Sequence, residues 1–372
     1  MPLSVMGHSD SCLTIDLGAI IANWRYIDSL SSATTTAAMV KANGYGLGAK
    51  NVAEALANAG CTEFFVANLG EAITLRQHLD ERGHKQLHIM TLHGCQRDGL
   101  DDHIAFRITP VLNDLEQLSR WRMCGQQRSD SMPALLHIDT GMTRLGFDAD
   151  QIDWLIENKS ALDGLDCRYL MSHLVSAEVA DDPTNALQLA AFNEWRRCFP
   201  GMPASLANSA GSMLSPDYHF QMTRPGIALY GADPADQPTD KLMRVVTWQA
   251  RIIQLRQAKA GDRVGYGGTH LLDRPSRIAT IGVGYADGYN RKLGGKASVL
   301  IGPHTAPVIG RVSMDSITVD VTDIDPAHLQ HGFVELLHDD YDLSRMAGDA
   351  ETIAYEILTR LGTRPSRHYQ NS

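Results

Sequence analysis

Residues 38–48 read AMVKANGYGLG, a lysine at the end of an apolar, strand-like run, followed at once by a glycine-rich turn and a tyrosine. A free ammonium is costly to bury without a partner. Glycine-rich backbone after a strand lets N–H groups approach an anion. Together the two features point to a lysine that is no longer a free ammonium, next to a phosphate. GYGLGAK lacks the GK[ST] ending of a nucleotide phosphate loop. Other chemistry-bearing residues sit at the ends of further apolar runs: Arg144 in DTGMTRLG, His173 in YLMSHL, Asn208 and Ser209 in LANSAG, and Arg224 with Gly226 in TRPGIALYG. Tyr266 lies in a glycine-flanked turn, VGYGG. There is no HExxH or other ligand spacing among the histidines, no GxSxG elbow and no Cys–His pattern, so neither a metal site nor a hydrolase is expected.

The elements that must position these residues alternate through the first 230 positions. AAMVKA, EFFVAN, LHIMTL, FRITPVL, PALLHIDT, CRYLMSH, PASLANS and TRPGIALYG read as strands. Between them, Val52–Leu56–Ala59, Ala72–Leu75–Leu79 and Leu187–Ala190–Ala191–Trp195 repeat at helical spacing. Eight strands alternating with helices suggest a parallel (β/α)₈ barrel of the TIM type, an α/β fold, over a doubly wound open sheet. In a barrel the C-terminal ends of the strands build the ligand site. That rule brings Lys41, Arg144, His173, Asn208 and Ser209 to one mouth, with Arg224 and Gly226 around the start of strand eight. GADPADQPTDK (231–241) looks like a linker. Beyond it the period is mostly two, in RVVTWQARIIQL, RIATIGVGYA, ASVLIG, APVIG and DSITVDV, which reads as a β domain. TIAYEILTRLG reads as a helix with Thr352 as its cap. The expected organisation is an N-terminal segment, 1–12, associated with the β domain; a barrel over 13–238; and a mostly β C-terminal domain over 239–372.

VKANGYGLG resembles the lysine loop of the alanine racemases, pyridoxal-phosphate (PLP) enzymes with a barrel and a β domain. The likeness continues in order through DTGMTRLG, SH, ANSAG, RPGIALYG, VGYGGTH, IGVGYADGYNR, GRVSMD and TIAYEILTR, from residue 37 to about 365. The resemblance implies that Lys41 carries PLP covalently. It implies that Tyr45, Ser209, Gly226, Ile227 and Tyr355 hold the phosphate, that His173 packs on the cofactor ring with Asn208 as a neighbour, and that Arg224 faces the pyridine nitrogen. An arginine does not readily give up its proton, so the ring would be a weaker electron sink and transamination disfavoured. Racemisation needs a base on each face of the α-carbon. Lys41 would act on the D-enantiomer and Tyr266, from a partner subunit, on the L-enantiomer, which implies a homodimer with shared active sites. Arg144 and the Met314 N–H would bind the substrate carboxylate, and Tyr285, Arg291, Arg311 and Ile353 would line the substrate channel.

Three departures from the family pattern stand out. The lysine, often carbamylated, that pairs with the arginine is replaced by His137, so Arg144 must find another partner, such as a bound anion, a water or another side chain. Glu178 stands where an aspartate is usual in the segment after His173, and Asn43-Gly44 replaces the common Asp-Ala.

The activity this implies is interconversion of L- and D-alanine, supplying D-alanine for peptidoglycan. A racemase of broader specificity, on serine or basic amino acids, and a PLP amino-acid decarboxylase are the alternatives. A non-catalytic PLP carrier would be the barrel alone. The formal net charge of −10 argues against nucleic-acid binding. No apolar run is long enough for a membrane span. MPLSVMGHSDSC carries neither a basic nor an apolar signal region. The six cysteines are scattered without a CxxC pair. The expectation is a cytoplasmic protein with reduced thiols.

Overall fold

The computed structural model describes residues 8–30, 35–128, 131–235 and 240–371, so part of the expected N-terminal segment and of the 231–241 linker lies outside the described residues. The chain divides into two compact units: the described residues within 20–243, and those of 8–19 together with 244–371.

In the first unit the apolar runs form short parallel strands, as runs buried on both faces should. Ala38–Met39, Glu63–Val66, His88–Thr91, Ile108–Leu112, Met132–His137, Leu165–Met171 and Ala204–Ser205 pair in chain order. Met222–Thr223 pairs in parallel with Thr35–Thr36. Backbone bonds Ala37 N to Thr223 O (2.9 Å), Met39 N to Pro225 O (3.1 Å) and Arg224 N to Ala207 O (3.0 Å) seat this eighth strand between the seventh and the first. The ring is thereby closed as a barrel. Asn68, Asp148, Asp182 and Asn208 each accept a backbone N–H at the start of a helix that follows a strand. Leu112, Leu136, Phe147, Leu170 and Phe192 belong to one buried cluster that locks strands and helices together.

Two sequence expectations are corrected here. TRPGIALYG is not one strand: the strand ends at Thr223, and Ile227–Tyr230 is a 3₁₀ turn, because Gly226 and Ala228 give their N–H groups to Ser209 rather than to a neighbouring strand. Arg224 and Gly226 therefore follow the eighth strand. In the helix Pro183–Cys198 the inward face is Asn185, Gln188 and Phe192, while Leu187 is 69% exposed. The two amides go inward because they bond carbonyls of the preceding segment (Asn185 to Val179, 2.9 Å; Gln188 to His173, 2.9 Å).

The second unit is an eight-stranded, mainly antiparallel sheet. The 13-residue strand Val246–Ala258 changes partners along its length, from Ser11–Asp16 and Phe333–Leu337 to Ser276–Ile281. Ser11–Asp16 also runs parallel to Ser366–Gln370. A small hairpin, Arg263–Val264 with His270–Leu271, carries the Tyr266 turn. The helix near the C-terminus spans Ala354–Thr359 and its cap position is Ile353, not Thr352, whose hydroxyl bonds Glu356 instead.

Candidate active site

Lys41 follows the first barrel strand and opens a left-handed turn. Ala42, Asn43, Gly44 and Tyr45 have φ of 51, 55, 62 and 53°. L-residues rarely adopt this conformation in succession. Bonds from Gly44 N to Val40 O and from Gly46 N to Ala42 O (both 2.8 Å) close the turn. Glu71 clamps it, accepting Ala42 N at 2.7 Å and Ala67 N at 2.8 Å. Asn43 Oδ1 accepts Ala49 N at 3.1 Å, tying the turn to the next helix. A Cβ on Gly44 would lie 2.9 Å from that same nitrogen, which leaves no space for a larger residue. The Lys41 amine makes no hydrogen bond among the described residues. Burial and the Arg144 charge lower its pKa, while Glu71 opposes them. A lysine whose charged form is disfavoured by burial is the more readily used as a nucleophile.

The turn delivers Tyr45 to a cradle. Its ring stacks on Tyr230 with centroids 4.6 Å apart, and the Tyr230 hydroxyl donates to Met39 O at 2.9 Å. A Cβ on Gly226 would fall 2.2 Å from the Tyr45 hydroxyl oxygen. Ser209 Oγ accepts Gly226 N at 2.7 Å and Ala228 N at 3.3 Å, joining the start of its own helix to the start of the Ile227 turn. Two hydroxyls and two short helix starts thus converge where only glycine fits, an arrangement suited to a phosphate. Asn208 supports it from behind, capping Gly211 N at 2.9 Å. Arg224 is buried. It donates to Ser205 Oγ and to the carbonyls of Ser172 (2.5 Å) and Leu206 (3.3 Å), with no carboxylate partner among the described residues. Burial brings its pKa down to about 9, so it stays charged at neutral pH. A desolvated lysine, an anion cradle and an acid-free guanidinium together fit PLP.

Arg144 stands at the tip of a loop shaped by Asp139, whose oxygens accept the N–H groups of Gly141, Met142 and Thr143 at 2.8–2.9 Å. It has no ion pair or hydrogen bond among the described residues. His137 does not replace the missing lysine as a charged group. Asn113 gives its NH₂ to Leu92 O (3.0 Å) and Val111 O (2.9 Å), which turns its oxygen toward His137 Nδ1 at 2.8 Å. Nδ1 therefore carries the proton. Burial first, and then the Arg224 charge, push the imidazole pKa down to about 3, so it is neutral. Burial and the charges of Arg224 and Arg144 likewise hold His173 well below the ordinary histidine range. Gln188 fixes the segment after His173, accepting Val175 N at 2.9 Å and donating to His173 O and Thr140 Oγ1.

The remaining expected residues belong to the β unit, where glycines bring their loops together. A Cβ on Gly265 would lie 3.2 Å from Arg311 N, and one on Gly267 3.3 Å from the Arg311 guanidinium, so the Tyr266 turn rests on Arg311. Gly284 would put a Cβ 2.3 Å from Met314 O, and Tyr285 N and Ala286 N bond Ser313 O (3.1 Å) and Met314 O (3.0 Å). Gly294, next to the Arg291 turn, would press a Cβ within 2.7 Å of Gly310 O. Tyr285 and Arg291 line a cavity of about 280 Å³ with Glu356 and Ile357. Tyr266, Tyr285, Met314, Ile353 and Tyr355 are 71, 44, 53, 60 and 39% exposed, a set of large apolar groups left open on the single chain.

Sequence reading overlooked Glu71, Asn113, Gln188 and Asp287. Asp287 accepts Gly284 N at 2.8 Å and pairs with Arg364 at 3.1 Å, holding the Tyr285 loop. Of these, Asn68-x-x-Glu71 at a helix start was a readable capping pattern.

Comparison with known proteins bears on the whole chain. Residues 15–234 match the family description "Alanine racemase, N-terminal domain", and residues 245–369 match "Alanine racemase, C-terminal domain". A protein of Brucella suis named alanine racemase is 43% identical over 96% of this chain and 93% of its own length. One of Agrobacterium fabrum named catabolic alanine racemase is 41% identical over 98% of this chain and 93% of its own. The crystal structure of alanine racemase from Bartonella henselae, with covalently bound pyridoxal phosphate, superposes with a TM-score of 0.92 at 38% identity, covering 97% of this chain and all of that one.

Proposed function

The chain belongs to the alanine racemase family, and from that membership we propose that it interconverts L-alanine and D-alanine with PLP. The observation that carries the reading is Lys41, desolvated on a clamped left-handed turn that also delivers Tyr45 to the Ser209–Gly226 cradle. When bound there, PLP supplies the electron sink that makes an amino-acid α-proton removable.

The chain's own residues do the rest. Ser209, Tyr45, the Gly226–Ile227 backbone and Tyr355 would hold the phosphate, and His173, neutral, would pack on the ring with Asn208 beside it. Arg224, which keeps its proton, would partner the ring nitrogen and so would disfavour transamination. Arg144 and the Met314 N–H hold the substrate carboxylate. Among the described residues no carboxylate pairs with Arg144, and its guanidinium fork suits a carboxylate. Lys41 exchanges the α-proton on one face. Tyr266 of a second copy does so on the other, which gives a homodimer with two shared sites. The exposed set Tyr266, Tyr285, Met314, Ile353 and Tyr355 supports a surface that meets another chain. Tyr285, Arg291, Arg311 and Ile353 line the channel. A role in supplying D-alanine to peptidoglycan within the cytoplasm follows from this activity. Among the described residues no helix is long and apolar enough to cross a membrane.

The test is incubation of the PLP-loaded protein with L-alanine in D₂O. Loss of optical rotation with deuterium at the α-carbon supports the reading. Release of CO₂, or rotation preserved without exchange, overturns it.

A further inference from the structure

At the barrel end opposite Lys41, where the strands begin, lies a second cavity of about 610 Å³. Nothing in the racemase reading uses it. Its charged lining is Arg76, Lys85, Arg107 and Arg168 against a single acid, Asp166, and its floor includes Leu87, Ile108, Met132 and Trp121. Such a concentration of positive charge is unexpected in a chain of net charge −10.

Two of the four cations, Arg168 and Lys85, have no acidic partner among the described residues, while Arg76 and Arg107 share Asp80. Arg76 is 2% exposed; it donates to the carbonyls of Phe106 (3.1 Å), Leu87 (2.7 Å) and Arg107 (3.3 Å), but its Nη1 has no hydrogen-bond partner and stands 3.6 Å from Asp80. That nitrogen faces Asp80 Oδ1, itself without a hydrogen bond, as an ion pair. Arg168 donates to His88 Nε2 at 3.1 Å, so that imidazole is neutral and cannot balance it; Arg168 forms no ion pair among the described residues. Lys85 has neither an ion pair nor a hydrogen bond among them. Arg107 pairs with Asp80 at 2.5 Å and has a φ of 52°, a conformation an arginine adopts only when its surroundings impose it. Asp80 is shared between two guanidiniums.

We propose that this cavity binds a small organic phosphate, its phosphate held by Arg168, Lys85 and Arg107 and its organic body resting on Leu87 and Ile104. Guanidinium forks match phosphate oxygens in geometry. The volume lies within the usual range for small-molecule sites and exceeds what inorganic phosphate alone would fill.

ADP and inorganic pyrophosphate serve as probes, titrated calorimetrically into the PLP-loaded enzyme, whose catalytic phosphate cradle is then occupied. ADP is expected to bind more tightly than pyrophosphate. The double variant R168A/K85A is expected to weaken ADP binding by about tenfold or more while racemising alanine normally. Should that variant fold poorly, R107Q is the second probe, and calorimetric ADP binding should weaken with it. Absence of binding by either probe in low salt, binding undiminished in the folded variants, or preferential binding of succinate would overturn the proposal. Pyrophosphate binding as tightly as ADP would overturn the assignment of the apolar floor to an organic body.

Discussion

Replacing Glu71 with alanine tests whether the left-handed lysine turn is imposed by its surroundings. Ala42, Asn43 and Tyr45 each hold a conformation that costs an L-residue about 1–2 kcal/mol. Glu71 opposes that cost with two charge-assisted bonds to Ala42 N and Ala67 N, each contributing about 1.5–3 kcal/mol, the lower figure applying to its partly exposed side. The two quantities are of similar size, so the turn should relax once the carboxylate is gone. Tyr45 then leaves the Gly226 cradle and Lys41 its position. The expected result is PLP affinity weakened by roughly tenfold to a hundredfold, following about 1.4 kcal/mol per decade. The melting temperature of the apo-protein should change little. Glu71→Gln, which keeps one acceptor oxygen, should fall between. PLP titration followed by the visible absorption of the bound cofactor reads this directly. An alanine variant that binds PLP and racemises like the parent would refute the reasoning.

Gly226→Ala should keep the fold but displace Tyr45, whose hydroxyl lies 2.2 Å from the added methyl, weakening PLP binding by an overpacking cost of about 1–3 kcal/mol; equilibrium dialysis measures it. His137 is neutral when folded, with a pKa of about 3, and returns to an ordinary histidine value on unfolding. The unfolded chain therefore binds the proton first, and stability is full above about pH 6.5 and falls as pH drops toward 3. Urea titrations of parent and His137→Asn across that window should show a shallower acid loss for the variant. Asp287→Ala should free Gly284 N and Arg364, loosen the Tyr285 and Met314 loops, and raise KM for alanine more than it lowers kcat, as steady-state kinetics would show.

The barrel was legible because its strands are short, apolar and evenly spaced, and because Lys41, His173 and Asn208 fall at their ends. Strand eight was misread because Gly226-Ile227-Ala228 is as apolar as a strand; Ser209, 17 positions earlier than Gly226, captures its N–H groups, and no local pattern announces that. The face of Pro183–Cys198 was misread for a related reason. Asn185 and Gln188 are polar by type and buried by partner, and hydrophobic periodicity cannot register a hydrogen bond to His173 O. Strands Ser11–Asp16 and Ser366–Gln370 went unread because each is stabilised by the other across the whole chain. The tautomer of His137 is set by Asn113 from another strand end, again invisible along the sequence.

The most direct measurement of the central claim mixes two inactive variants, Lys41→Ala and Tyr266→Phe, allows subunits to exchange, and assays racemisation of L-alanine. If each site pairs Lys41 of one copy with Tyr266 of the other, a mixed dimer holds one intact site and one doubly impaired. Random pairing in a two-fold dimer then restores about one quarter of the parent activity. No recovery, from variants shown to exchange subunits and to bind PLP where Lys41 is present, would contradict the shared two-base site.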